Sequence, residues 1–190
     1  MKRPTSMLAR AARGLAMLAA GAGLLGLTGC VTQELHPYQV SVANQEVLAQ
    51  LPHAAHYRVA PGSDHADVQN KVRAYYFTTP KGETWAAYLD DGIRNELTTA
   101  GNYDANASES IQATLLAVHL ADGHADLAAR FVVTQGSDVR YDKVLHAKSR
   151  WRSSFVGSIA IPAAYVGAGS IFQDLLNQFF TDPDFTKLAS

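Results

Sequence analysis

The sequence predicts an α+β fold, an antiparallel sheet of about four to five strands with two helices packed on one face. Three observations predict it. An amphipathic stripe ending at Gly101 marks one helix, three strand-like runs joined by Gly-containing turns occupy residues 110–151, and an apolar segment with helical spacing follows at residues 155–180.

The first 29 residues stand apart from that domain. Lys2, Arg3, Arg10 and Arg13 form a basic start, and residues 14–27 are an uncharged run of fourteen rich in Leu, Ala and Gly. A bilayer span needs about 20 apolar residues, so this run is too short and has the pattern of a secretory signal. Thr28 and Gly29 then precede Cys30, the only cysteine in the chain. A lone cysteine forms no internal disulfide, and a core thiol does not normally sit between a signal and a polar segment. Leu27-Thr28-Gly29-Cys30 resembles the lipobox of bacterial lipoproteins. The resemblance implies that the Cys30 thiol is diacylglycerylated, that the signal is cut before it, and that the new amino terminus is acylated. Several chains matter because one chain, at about 0.8 kcal/mol per buried methylene, gives only marginal membrane binding. Val31 follows Cys30, where an inner-membrane lipoprotein of this kind carries aspartate. The implied address is the outer membrane, facing the periplasm.

Cleavage there removes four of the sixteen basic residues and none of the seventeen acidic ones, leaving a charge of about −5 with histidine neutral. Binding to a phosphate backbone needs clustered Lys and Arg, so nucleic acid is not expected as a partner. The remaining residues, about 160, suffice for one domain with its own core, stabilised by packing alone.

Residues 30–52 are expected to be the lipidated terminus and a tether, with ANQEVLAQL forming a short helical turn, and residues 53–190 to be the periplasmic domain. Residues 53–60 (HAAHYRVA) predict a first strand, PGSDHAD a turn, and residues 71–79 (KVRAYYFTT) a second strand. Pro80-Lys81-Gly82 breaks it. The helix that follows has Trp85, Tyr88, Leu89, Gly92, Ile93, Leu97 and Ala100 on its apolar stripe. Asp90, Asp91, Arg94 and Asn95 fall opposite, with Asp90 and Arg94 in the favourable acid-before-base order, and Tyr103 is placed for a cap contact beyond Gly101.

Residues 110–120, 125–133 and 139–151 predict a meander through the hairpin turns Ala121-Asp122-Gly123 and Gln135-Gly136-Ser137. In its last strand Val139, Tyr141, Leu145, Ala147 and Trp151 predict a buried face, and Arg140, Asp142, His146, Lys148 and Arg150 a wet one. Residues 155–172 (FVGSIAIPAAYVGAGSIF) then carry no charge. Their length admits a membrane span, but Pro162, the Gly and Ser content and the position after a strand argue against one. Pro162 is expected in the first turn of a helix that continues through Ile171, Phe172, Leu175, Leu176 and Phe179. Ala160, Ala164 and Ala168 recur every four residues, which suits close packing on the domain's own sheet. The other use of this face is a partner, lipid or subunit surface containing Ile161, Ala164, Tyr165 and Ala168. Asp182-Pro183 opens a last short turn.

The lipobox, GETWAAYLDDGIRNELTTAG, and RWRSSFVGSIAIPAA leading to LLNQFFTDPDF together resemble the auxiliary lipoproteins of envelope ABC transporters, PqiC-like proteins with YajG-like lipoproteins as near relatives, over most of residues 55–188. The resemblance implies an outer-membrane-anchored accessory domain working with lipid-transport machinery, with a transporter or lipid-transfer protein as partner. A self-assembling envelope lipoprotein forming a homo-oligomer is the alternative. No catalytic residue, metal or cofactor is expected. GxSxG, HExxH and GxxxxGK[ST] are absent from the sequence, and Gly167-Ala168-Gly169 lacks the strand-turn-helix setting of a dinucleotide loop. On a strand the spacing of three sends His53 and His56 to opposite faces, His119 and His124 flank a hairpin turn and are expected to be exposed polar residues, and Asp90 and Asp91 diverge by about 100° on a helix.

Overall fold

The computed structural model describes residues 31–52 and 54–188; residues 1–29, expected to be a signal, and Cys30 and His53 lie outside them. The chain runs β1 (Val31–Glu34), α1 (Val42–Leu48), β2 (Tyr57–Val59), β3 (Ser63–Gln69), β4 (Lys71–Val72), β5 (Tyr75–Thr78) and α2 (Trp85–Ala100). It continues through β6 (Glu109–Ala121), β7 (His124–Gln135), β8 (Asp138–Arg150), α3 (Gly157–Thr181) and α4 (Pro183–Leu188). The α+β class holds, with a mixed rather than antiparallel sheet, a second small sheet and four helices. In the large sheet β6, β7 and β8 form the expected antiparallel meander, while β2 and β3 both pair parallel to β6. The small sheet is ordered β1-β5-β4.

Helix α2 forms as its sequence dictates. The Thr84 hydroxyl accepts the Ala87 N–H at 3.1 Å, and Gly101 closes the helix at φ 81°, where the left-handed backbone favours a residue without Cβ. The Asn102 N–H returns to the Leu97 carbonyl at 2.8 Å. Leu89, Ile93 and Leu97 are fully buried. The polar face is corrected in two respects: Asp90 is buried, and Arg94 pairs with Asp91 at 2.6 Å instead of with Asp90.

The meander buries Ile111, Ala113 and Leu115 on β6, then Val118 and Leu120 after a bulge that restores their face. On β7 the inward residues are Ala125, Leu127, Ala129, Phe131 and Val133. A second bulge, between Val133 and Thr134 in the β7–β8 register, turns Val139 outward, so only Tyr141, Ala147 and their alternating neighbours face the helices. Asp122-Gly123 and Gly136-Ser137 make the hairpin turns, with Gly123 at φ 89° and Gly136 at φ 61°.

Three expectations about the first half are corrected. The PGSDHAD stretch holds strand β3, not a turn; with β2 it forms one interrupted edge strand along β6, polar because water reaches both its faces. Residues 71–79 are not one strand but the β4–β5 hairpin, reversed at Arg73 with φ 57°. Residues 31–52 are not a tether: β1 pairs parallel to β5, α1 packs on α2 and α3, and Leu35, Tyr38, Leu48 and Leu51 enter the core.

At the break between β2 and β3, Gly62 passes close to Asp90. Its N–H donates to Asp90 Oδ2 at 2.7 Å, and a Cβ there would lie 2.4 Å from the Ala113 carbonyl oxygen. Asp90 Oδ1 is buried without a partner. Burial pushes this carboxyl up from 3.8 to about 6, against the smaller opposing effects of the Gly62 N–H and Arg94. The folded state thus binds the proton more tightly than the unfolded chain. The associated stability is fully present below pH 3.8 and is lost as pH rises through about 6. Asp90→Asn keeps an acceptor for Gly62 and cannot ionise. Relative to that variant, the parent should lose about 1–3 kcal/mol across this window in urea titrations at successive pH values. Parallel pH profiles for the two proteins would overturn this.

Helix α3 begins at Gly157, one turn before the expected start, so Pro162 lies inside it and leaves the Ser158 carbonyl without its helical donor. Both residues face solvent, where water can serve that carbonyl. The helix has the length and apolarity of a membrane span, yet eleven of its residues are buried in the domain. Phe179 stacks on Phe131 at 4.5 Å, which fastens the C-terminal half of α3 to the sheet. Asp182 then caps α4, its Oδ1 accepting the Asp184 N–H at 2.9 Å.

Candidate functional site

Residues 31–39 lie alongside the N-terminal two thirds of α3 and run in the same direction. Gln33 shares a hollow with Ile161 and Pro162, His36 meets Tyr165 edge-on at 5.1 Å, and the Gln39 carbonyl accepts from Gln173 Nε2 at 2.8 Å. The segment does not close fully onto the helix. Between them is an open, mainly apolar cleft of about 240 Å³, walled by Leu35, His36 and Pro37 on one side and Tyr165, Val166 and Gly169 on the other. Tyr88 forms part of its lining; its hydroxyl donates to the His36 carbonyl at 3.1 Å, and its ring meets Phe172 at 4.9 Å. The His36–Tyr165 pair divides this cleft from the adjoining hollow of about 320 Å³ at Gln33, Ile161 and Pro162.

The residues expected to form a partner surface are split by the fold. Ala164 and Ala168 are each 1% exposed and face the sheet, so their part of that expectation is corrected. On the same turn of the helix Gly167 passes close to Trp151, the residue after β8: a Cβ there would lie 2.5 Å from its ring. Ile161 is almost buried and Tyr165 half-buried, and both line the hollows. The outward side of α3 is a different stripe, Phe155, Ile159, Pro162 and Val166, at spacings of four, three and four. Phe155, Ile159 and Val166 are the largest exposed apolar side chains on it. That spacing was legible in the sequence, but the alanine repeat beside it is equally regular and periodicity does not say which face points inward.

The polar side chains of the cleft lining are His36, Gln39, Tyr88, Tyr165, Ser170 and Gln173, with no Asp or Glu among them, and His36 lies edge-on against Tyr165. Elsewhere His119 Nε2 meets Asp67 Oδ2 at 2.9 Å across β3 and β6, and His56 and His124 are exposed. Among the described residues no three His, Cys, Asp or Glu side chains converge to hold a metal. What the cleft can do chemically is bind something apolar, such as an aliphatic chain or a hydrophobic side chain.

No family model matches the sequence, and no curated protein matches it. Solved structures do match. Protein XCC0632 from Xanthomonas campestris, described under the family DUF330, is 10% identical with a TM-score of 0.50, over 79% of this chain and 95% of that one. This likeness shows a shared fold. Protein CT253 from Chlamydia trachomatis is 10% identical with a TM-score of 0.48, over 72% of this chain and 99% of that one. A minor lipoprotein from Acinetobacter baumannii is 11% identical with a TM-score of 0.37, over 67% of this chain and 94% of that one.

Proposed function

We propose that this chain is an outer-membrane-anchored periplasmic lipoprotein that acts, without catalysis of its own, as a binding component of an envelope lipid-transport system. The observation that carries the reading is the pairing of a lipobox at Cys30 with an open apolar cleft and an exposed apolar stripe on α3. Val166, 69% exposed, lines the cleft, and Ile159, 59% exposed, continues the same stripe of α3, a contiguous apolar face that suits an apolar ligand or partner. The resemblance of GETWAAYLDDGIRNELTTAG and RWRSSFVGSIAIPAA to auxiliary transporter lipoproteins supports the choice of system.

The test combines two measurements on intact cells. Cys30→Ser should abolish incorporation of labelled palmitate, because the chain has no other thiol to acylate. A photo-crosslinker in place of Val166 should capture a component of a lipid-transport assembly, identified by mass spectrometry. Capture of copies of this chain alone would favour the self-assembling envelope lipoprotein instead, and normal palmitate incorporation in Cys30→Ser would end the lipoprotein reading. A charge at Ala164 would not serve here, since that residue is in the core.

A further inference from the structure

The beginning of the domain and the beginning of α3 lie at one end of the molecule. Val31 donates its N–H to the Ala74 carbonyl at 3.3 Å, in the β4–β5 turn. The next residue in that turn, Arg73, sends its guanidinium across to the segment between β8 and α3. It donates to the Ser154 carbonyl, to the Phe155 carbonyl at 3.5 Å and to Ser153 Oγ at 3.2 Å. Its Nε binds Asp122 in the β6–β7 turn at 2.7 Å, and Ser153 donates to the same carboxylate. Hydrogen bonds from Ser153 and Arg73 hold the Asp122 carboxyl below its usual range, so the clasp carries a compensated charge. The side-by-side course of residues 31–39 and α3 gives the same placement independently, since Val31 precedes Gln33 and Gln33 already lies beside Ile161.

Within this clasp Phe155 is held fully in solvent, with Val156 54% and Ile159 59% exposed in and before the first turn of α3. These three large apolar side chains within five residues of the helical tip all point away from the core. Around them, Lys71 lies over the Tyr76 ring at 5.2 Å on the neighbouring hairpin, and Arg150, at the end of β8, and Arg152, just beyond it, are exposed near Gly123. Aromatic and basic side chains around an apolar tip suit the head-group layer, where apolar groups reach acyl chains and cations meet anionic lipid.

We propose that Phe155, Val156 and Ile159 insert into the head-group layer of the leaflet that holds the acyl chains of Cys30, so that the domain touches the lipid surface directly as well as through its anchor. This rests on the lipid-anchor reading above. The occupant is a bilayer because the chain leads into its anchor from Val31, at the same end as the tip; Cys30 is the residue before it.

The experiment uses the full chain, acylated in cells and reconstituted in vesicles of phosphatidylethanolamine and phosphatidylglycerol. Ser158→Cys, an exposed position in the first turn of α3, takes an environment-sensitive fluorophore while the acylated Cys30 does not. Gln135→Cys, at the far end of the β6–β7–β8 hairpins, is the control. The label at 158 should shift to the blue and be quenched by lipids carrying a nitroxide at the head group; the label at 135 should do neither. Adding Phe155→Asp to the Ser158→Cys protein should abolish both effects without altering its circular dichroism. Emission at 158 that stays aqueous, or a blue shift that nitroxide lipid does not quench, overturns the proposal, the latter by pointing to a protein on the tip. The anchor is read separately as labelled palmitate on the same sample. Palmitate with an aqueous tip keeps the anchor and rejects the insertion, and absence of palmitate rejects both.

Discussion

Phe179→Ala should cost the domain about 3–5 kcal/mol, the range for deleting a buried aromatic ring. Phe179 is fully buried and meets Phe131 at 4.5 Å, Phe185 at 4.4 Å, Phe180 at 5.3 Å and Tyr141 at 5.5 Å. One side chain therefore joins β7, β8, α3 and α4. Its neighbours are poorly placed to fill the space it would leave, because Phe185 is also in contact with Tyr57 at 5.5 Å and Phe180 at 6.1 Å. Urea denaturation should show a lower midpoint at unchanged slope. A loss under about 1 kcal/mol would mean that the cluster collapses around the gap.

Glu96→Ala should be of similar size, about 3–5 kcal/mol, for a different reason. The Glu96 side chain is fully buried on α2, and among the described residues no Lys or Arg pairs with it. Its Oε1 accepts from the Tyr38 hydroxyl at 2.8 Å, the Ser41 N–H at 2.8 Å and Asn44 Nδ2 at 2.9 Å; its Oε2 accepts from Gln45 Nε2 at 2.6 Å. Burial beside this carboxylate holds the Tyr38 phenol far above its usual range, so it remains a donor. Removing the acceptor strands the Tyr38 hydroxyl and the Ser41 N–H, while Asn44 Nδ2 and Gln45 Nε2 each lose one of two acceptors, keeping the Gln173 and Glu96 backbone carbonyls. Glu96→Gln keeps one acceptor oxygen but turns an NH2 toward the remaining donor, and should fall between the two. Because all four donors come from residues 38–45, hydrogen exchange in the Glu96→Ala protein should rise first in that segment, ahead of β7. Uniform acceleration across the domain would show that the segment is not a separable unit.

Helix α2 and the meander were legible because their signals are local. Thr84, Gly101, Asp122-Gly123 and Gly136 act within a few residues, and an amphipathic stripe of seven positions specifies its own face. Strand β3 was not legible, because SDHADVQ offers only Ala66 and Val68 as apolar residues, too few to mark a buried face; the open edge of β6 makes it a strand. Residues 31–52 failed as a tether for the same reason, since Leu35, Tyr38, Leu48 and Leu51 are spaced too irregularly to announce a face and are buried only because Glu96, α3 and β5 lie elsewhere in the sequence. Asp90 falls on the face expected to be wet because a helix stripe predicts orientation toward one neighbour, whereas α2 packs against α1 and α3 as well as against β6 and the β2–β3 edge of the large sheet. In the cleft lining, Tyr165 belongs to an apolar run legible in the sequence, whereas the place of His36 is not legible, because it depends on the parallel course of two segments more than a hundred residues apart.

The folding of residues 31–52 into the domain also limits how far it can travel. As an extended leash those 22 residues would span about 75 Å, enough to let a domain search a wide shell of space above its attachment. Built instead into β1, α1 and the Glu96 network, they contribute no slack. On the proposed lipid anchor at Cys30, the domain is then confined to the immediate vicinity of its attachment point. Encounter with any second molecule becomes a two-dimensional problem: the other body must diffuse along, or extend to, the same surface, and the domain cannot go out to fetch it.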